Sequence, residues 1–388
     1  MNFAFNEEQE ALRSAARSFL EDHSSFQQVN TVMGTEVGYD PEVWRRIGAE
    51  LGWTSVIIPE EYGGLGLSYV ELVALMEVMG EALLCAPFFS TVCLAGNALL
   101  LGGTEGQRQA HLPGIAAGET IATLAYTEPN GRWDASGTQA VARRDGGDFL
   151  LNGTKTYVID GHTAQLLVVA ARSADSSGEE GISLFVVPAE TDGIERRLLP
   201  TMDQTRKQAE IKLHNVRVPA SALMGNEGEG WGVLKKTLDL AAVALSAEQV
   251  GGAQRCLDMS VQYAKERIQF GRPIGSFQAL KHKCADMLLK VESARSASYY
   301  AGWAASVDDP ELPVHASLVK AYCSDAYFRC AAETLQIHGG VGFTWEYAVH
   351  VYFKRAKSSE ILLGDAAYHR ELVAQRIGLG KNQGPSNS

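Results

Sequence analysis

Cysteine is scarce in this chain. Its 388 residues hold six: Cys85, Cys93, Cys256, Cys284, Cys323 and Cys330. No two stand as CxxC, and their spacing points to neither a zinc site nor a disulfide framework, so no metal is expected. Scattered thiols fit a reducing cytosol, and a cytoplasmic protein is expected. Blocks of Lys and Arg are also missing. Lys+Arg number 34 against 46 Asp+Glu, a net charge of −12. Such a chain lacks the electrostatic footprint of a nucleic-acid binder. The opening MNFAFNEEQE is acidic where a signal peptide is basic. One uncharged run, Ala82 to Gly103, is long enough to cross a bilayer, but it contains Pro87, Ser90, Thr91, Gly96 and Asn97. Pro87 breaks it early, so it reads as two buried helical segments and not as a membrane span. No GxGxxG follows a strand, and Walker, HExxH and GxSxG motifs are absent. A nicotinamide-binding Rossmann domain is therefore not expected.

What is present falls into three blocks. Residues 1–118 read as a helical domain. Ala11, Leu12, Ala15, Phe19 and Leu20 recur at helical spacing, and Asp40-Pro41 reads as an N-cap and first helical residue. PEEYGGLG, from Pro59 to Gly66, reads as a loop. Residues 119–226 read as a β-domain, a barrel or sandwich. ETIATLAYT, LLVVAA and ISLFVV are β-rich, and Asn152-Gly153 predicts a hairpin turn. Residues 227–380 are helical again, with long runs from Trp231 to about Arg267, Phe277 to Val307 and Val314 to His338. Residues 381–388 read as a disordered tail. The fold class is α+β. At this length the chain can bury on the order of three quarters of its unfolded surface, so it needs no covalent staple.

The long helix from Trp231 carries an anomaly. Leu234, Leu238, Ala241, Leu245, Glu248 and Gly252 follow a 4-3-4-3-4 spacing, which puts them on one helical face. One of the six is a carboxylic acid. Burial there would raise its pKa and suit it to general-base work near neutral pH. Two other readings stay open. Glu248 is a structural residue satisfied by an Arg or by backbone, or the stripe lies one position off and Glu248 is exposed.

ERIQFGRPIGSFQALKHKCADM (Glu266 to Met287) and QIHGGVGFTWEYAVHVYFKRAK (Gln336 to Lys357) resemble the acyl-CoA dehydrogenase family. So do PEEYGG and the run Tyr126-Thr127-Glu128-Pro129. The matches occur in the family's order in all three blocks. The resemblance implies an N-terminal helical domain, a middle β-domain and a C-terminal four-helix bundle, usually as a tetramer. It also implies FAD as cofactor, an acyl-CoA thioester as substrate, and electron-transferring flavoprotein or a similar acceptor as redox partner. In such members an α-proton is abstracted while the β-hydride passes to flavin N5. Tyr126, Thr127 and Tyr157 match flavin-contact positions, although Ile159 replaces the hydroxyl that usually follows. Arg267, Phe270 and Gln278 match positions that hold the pyrophosphate and adenine of a neighbouring subunit's FAD. Gln336, Gly339 and Gly340 match the glycine-rich loop beside the dinucleotide, and a plain helix C-cap is the alternative reading for them.

The sequence departs from the family at the base. The usual Glu near the C-terminus is Leu363, followed by Gly364, and the alternative site on the long helix is Ala241. Glu248 lies two turns beyond Ala241 on the same face. The run Ser246-Ala247-Glu248-Gln249-Val250-Gly251 resembles bacterial members, including ones acting on steroid side-chain CoA thioesters. Glu248 is thus the expected base, and the Leu363 backbone N–H the expected donor to the thioester carbonyl. Asp365 replaces a Thr that usually contacts FAD, and Asn130-Gly131-Arg132-Trp133-Asp134 replaces a small loop. Glu360 and Glu346 also lie near in sequence, with Glu346 read as a first-turn acid. The expected activity is FAD-dependent dehydrogenation of a bulky, branched or steroid-like acyl-CoA. A non-catalytic or half-site subunit of a heterotetramer is the main alternative, and a flavin oxidase or monooxygenase a third.

Overall fold

A computed structural model describes residues 5–379. The expected tail at 381–388 lies outside them. Helices open the chain: α1 Glu7–His23, α2 Phe26–Met33, α3 Pro41–Arg45, α4 Tyr69–Glu81, α5 Asn97–Gly102 and α6 Glu105–Ala116. Eight strands follow: β1 Ala122–Ala125, β2 Val141–Asp145, β3 Asp148–Ile159, β4 Leu166–Arg172, β5 Ile182–Pro188, β6 Ile194–Leu198, β7 Gln208–Pro219 and β8 Leu223–Met224. The remainder is α7 Gly230–Glu266, a short hairpin of β9 Ile268–Gln269 and β10 Arg272–Pro273, then α8 Gln278–Ser306, α9 Leu312–His338, α10 Val349–Ile361 and α11 Ala366–Arg376. The order of helical, β and helical domains is the one expected, and the fold is mixed α+β.

The chain forms two compact units. One comprises residues 17–72 and 83–241. Its sheet runs β6-β7-β3-β2-β4-β5-β8, and β1 pairs in parallel with the start of β4. Every residue of β4 is buried, and β5 is buried up to its final Pro188, as expected of strands covered on both faces. Asp40 caps α3 by accepting from the Glu42 and Val43 N–H groups, as its place before Pro41 predicts. The uncharged run from Ala82 becomes a buried π-helical segment, Phe89–Gly96, leading into α5. No described helix is long and apolar enough to cross a membrane.

The hairpin expectation fails. Asn152-Gly153 lies inside β3, at a register shift against β7, and the β2–β3 turn is made by Gly146-Gly147. Gly153 answers a different need: a Cβ there would lie 2.6 Å from the Ala140 Cβ. The dipeptide marks a bulge with close backbone approach.

The other unit comprises residues up to 16, 73–82 and from 242 onward. Here α9 packs against α8, α10 and α11. α7 is crossed by α4 almost backbone to backbone. A Cβ on Gly80 would lie 2.0 Å from the Glu248 carbonyl oxygen, and one on Gly251 1.8 Å from that of Glu77. The crossing is locked by Glu77, whose carboxylate receives Arg13 (3.3 Å), Arg295 (3.1 Å) and the Tyr299 hydroxyl (2.6 Å). All six cysteines are free thiols.

Candidate active site

Glu248 is buried, so the reading that exposes it is excluded. The one-face stripe is replaced by something broader. Every residue of α7 from Asp239 to Ala253 is buried, and the apolar spacing there reflects a helix covered on all sides. The Glu248 side chain accepts a hydrogen bond from Arg355 Nη1 of α10 at 2.9 Å, and both side chains are almost fully removed from water. Burial disfavours a carboxylate and a facing guanidinium favours it, so the site holds two opposing influences where the sequence showed one. The next residue, Gln249, donates through Nε2 to Ser324 Oγ (3.0 Å) and to the Ser359 carbonyl (3.1 Å). Adjacent residues of α7 therefore grip α10 one turn apart, at Arg355 and Ser359. One turn further on the chain reaches Leu363.

Leu363 follows the end of α10 and is buried. Its φ is +64°, a left-handed conformation that is costly for a branched side chain. Its carbonyl faces His369 Nε2 at 3.1 Å. Among the described residues its N–H meets no acceptor, whereas the flanking N–H groups of Leu362 and Gly364 bond to Ser358 and Ile361. A buried, strained turn with one uncommitted N–H is suited to an incoming oxygen. Asp365 is occupied otherwise: it caps α11 by accepting from Tyr368 N–H at 2.8 Å. Glu360 pairs with Lys357 at 2.7 Å. Glu346 is exposed and precedes α10, which begins only at Val349, so it is not a first-turn acid.

In the strand-containing unit, Tyr126, Thr127 and Tyr157 come together. Tyr126 and Thr127 follow the end of β1. Thr127 Oγ1 donates to the Thr156 carbonyl at 2.6 Å, and the Thr156 N–H to the Thr127 carbonyl at 2.9 Å. β3 bulges between Lys155 and Val158, with Tyr157 at φ +53°. The bulge turns the Tyr157 ring outward, 58% exposed, while Val158 and Ile159 stay buried. Glu128 and Lys155 fix this arrangement from beneath. Lys155 Nζ lies 2.6 Å from Glu128 Oε1, and the same carboxylate accepts from the Gln139 and Ala140 N–H groups. Burial pushes the Lys155 amine down from its ordinary value, and Glu128 offsets part of that. Arg132 is an exposed side chain paired with Asp134 at 3.0 Å.

The remaining expected residues lie in the helical unit. Arg267 and Phe270 belong to the hairpin after α7, and Gln278 begins α8; all three are exposed, Phe270 by 90%. Gln336 is exposed near the end of α9. Gly339 caps α9 at φ +61°, ψ −140°, so the helix-cap reading holds for it. Gly340 is different: it has no positive φ, and a Cβ there would meet nothing. Packing and backbone conformation within the chain do not call for glycine at 340. Tyr263 stacks on His338 with ring centroids 4.2 Å apart, which joins the end of α7 to the end of α9. Within each unit the residue types suit FAD: an outward aromatic ring on a bulge can lie against a flavin ring, and an exposed Arg and Phe on a hairpin can pair with a pyrophosphate and stack on an adenine. Arg355, Lys320 and His369 were not among the residues expected at the site. Arg355 carried a usable signal, since it is a charge spaced four residues from both Val351 and Ser359 on a buried face of α10.

Residues 6–119 match the family described as acyl-CoA dehydrogenase, N-terminal domain, residues 123–216 its middle domain, and residues 228–378 its C-terminal domain. The chain is 33% identical over 386 residues to the probable acyl-CoA dehydrogenase YngJ of Bacillus subtilis, covering 97% of this chain and 100% of that protein. Its fold superposes on the structure of butyryl-CoA dehydrogenase from Megasphaera elsdenii with a TM-score of 0.90 and 30% identity, covering 97% and 100% of the two chains. Against the ChsE4-ChsE5 complex of Mycobacterium tuberculosis the TM-score is 0.88 and the identity 28%, covering 97% and 99%.

Proposed function

This chain belongs to the acyl-CoA dehydrogenase family, FAD-dependent oxidoreductases acting on CH–CH donors, and from that premise we propose how its own residues serve the reaction. Glu248 is the base that takes the α-proton of the acyl-CoA. Arg355 holds the carboxylate in place and keeps it charged until the proton arrives. The Leu363 N–H receives the thioester oxygen as negative charge develops on it. FAD, when bound, supplies the acceptor for the β-hydride. Tyr126, Thr127 and Tyr157 contact its ring system, Arg267, Phe270 and Gln278 the pyrophosphate and adenine of a neighbouring subunit's FAD, and Gln336, Gly339 and Gly340 the dinucleotide. The observation that carries this reading is a buried carboxylate on α7 in a family where both commoner base positions are, in this chain, Ala241 and Leu363.

The substrate is a bulky, branched or ring-bearing acyl-CoA, because the base stands two turns along the helix and the usual Glu is an apolar Leu363. Electron-transferring flavoprotein or a similar acceptor takes the electrons, the protein works as a tetramer in the cytoplasm, and its three domains divide near residues 118 and 226. The Glu248–Arg355 pair also favours a second reading. A carboxylate so well satisfied suits a half-site subunit, and one solved relative is a complex of two different chains.

The test is flavin reduction in rapid mixing with cholyl-CoA and 3-phenylpropionyl-CoA, for wild type and Glu248→Gln. The variant is expected to keep FAD and to lose about 10²–10⁴ in reduction rate. Equal rates would make Glu248 structural. A wild-type chain purified without FAD would favour the half-site reading, and a preference for butyryl-CoA would remove the bulky-substrate proposal.

A further inference from the structure

The turn that carries the Leu363 N–H is held by buried groups with no part in the chemistry above. Lys320 of α9 is fully buried. Its Nζ donates to Ser324 Oγ at 2.8 Å, to the Glu360 carbonyl at 3.1 Å and to the Gly364 carbonyl at 3.0 Å, so all three of its protons are used. From α11, His369 Nε2 holds the Leu363 carbonyl at 3.1 Å, while its Nδ1 lies 3.3 Å from Ser317 Oγ. The Leu362 N–H bonds to Ser358 and the Gly364 N–H to Ile361. The peptide planes on both sides of the Leu362–Leu363 bond are thereby fixed, and the plane between them, which carries the free N–H, follows. Leu363 sits at φ +64°, a conformation that a residue with a side chain keeps only where the surroundings impose it, and Gly364 follows at φ +106°, which glycine adopts freely.

We propose that Lys320 and His369 are positioning residues for the reaction: together they hold the Leu363–Gly364 turn so that the Leu363 N–H faces the thioester oxygen, and Lys320 adds a positive charge beside that oxygen. This rests on the role given to Leu363 above. The ammonium matters apart from its hydrogen bonds. A neutral amine can still donate to both carbonyls and accept from the Ser324 hydroxyl, so deprotonation removes the charge and leaves the turn in place. Burial brings this amine down to about 7, against the pull of Cys323 and Asp325 on α9, Glu360 on α10 and Asp365 ahead of α11. His369 is brought down to about 3, by burial first and then by Lys320, so it stays neutral as a donor to Leu363.

The test uses the FAD-loaded full chain and flavin reduction by cholyl-CoA and 3-phenylpropionyl-CoA between pH 6 and 9. Wild type is expected to show an alkaline limb, its rate falling as the amine loses its proton. Lys320→Met is expected to keep its FAD, to bind the thioester within about threefold of wild type, to reduce about 10–100-fold more slowly, and to lose that limb. A wild type that reduces while Lys320→Met matches it in rate and pH profile overturns this inference and leaves the role of Glu248 standing. Absence of wild-type reduction by these thioesters and by butyryl-CoA alike overturns both. If Lys320→Met does not fold, Lys320→Gln takes its place, since its amide can still donate to the Glu360 and Gly364 carbonyls but carries no charge, and a rate and pH profile equal to those of wild type overturn the proposal.

Discussion

An ion pair shut away from water cannot lose one member without consequence. Removing the Arg355 guanidinium takes from the buried Glu248 carboxylate the cation that faces it, a loss of about 3–5 kcal/mol of stability. The carboxylate escapes part of that cost by holding its proton to higher pH. Arg355→Met is therefore expected to lower the urea midpoint and to move the acid limb of the flavin-reduction profile to higher pH. An unmoved limb in a folded, FAD-loaded variant would detach Arg355 from the base. At this scale the sequence was half legible. A carboxylate among apolar residues at helical spacing is a local pattern, and Glu248 stood out by it. Its partner lies 107 residues away, and nothing in the spacing of α7 points to α10. Asp365 shows the same limit. Its identity broke an expected FAD contact, and only the fold reveals that it caps α11.

Elements meet where side chains permit it, and two meetings decide the site. The first is the α4–α7 crossing, where Gly80 and Gly251 bring two backbones together beside Glu248. Gly251→Ala would place a methyl against the Glu77 carbonyl, with no flexible side chain to yield. A loss of about 1–3 kcal/mol is expected, with slower flavin reduction as Glu248 shifts. Unchanged stability would show that the helices slide apart freely. The second is the bulge of β3 on the loop after β1, held by Glu128 and Lys155. Glu128→Ala would strand a buried ammonium and release the Gln139 and Ala140 N–H groups, at a cost of about 3–5 kcal/mol. FAD per subunit is expected to fall with it, which absorbance reports, and full FAD content would show that the bulge stands without the pair. Helix limits were legible here because caps and periodicity are local. The Asn152-Gly153 turn was misread because a bulge and a hairpin use the same residue types, and only the partner strand distinguishes them.

Across the whole molecule, buried titrating groups give stability a peak in pH. Lys320 binds its proton more weakly when folded, at about 7 against an ordinary 10.5. Between those values the unfolded chain holds more protons, so acid favours unfolding and stability rises with pH. His369, at about 3 against 6.5, acts in the same direction at lower pH. The buried thiols act in the opposite one. Cys330 is pushed up to about 12 from 9, and Cys256 and Cys323 are raised by burial as well. Above pH 9 the unfolded chain gives up these protons first, so stability falls. The free energy of urea unfolding is therefore expected to climb from pH 6 to about 8.5 and to decline beyond 9. In Lys320→Met the climb above pH 7 should flatten, while the decline above 9 remains. A wild-type curve flat between pH 7 and 8.5 would mean that Lys320 keeps its ordinary affinity for its proton. The charge beside Leu363 would then persist at every pH the protein meets, and the alkaline limb expected of flavin reduction would have to arise from another group.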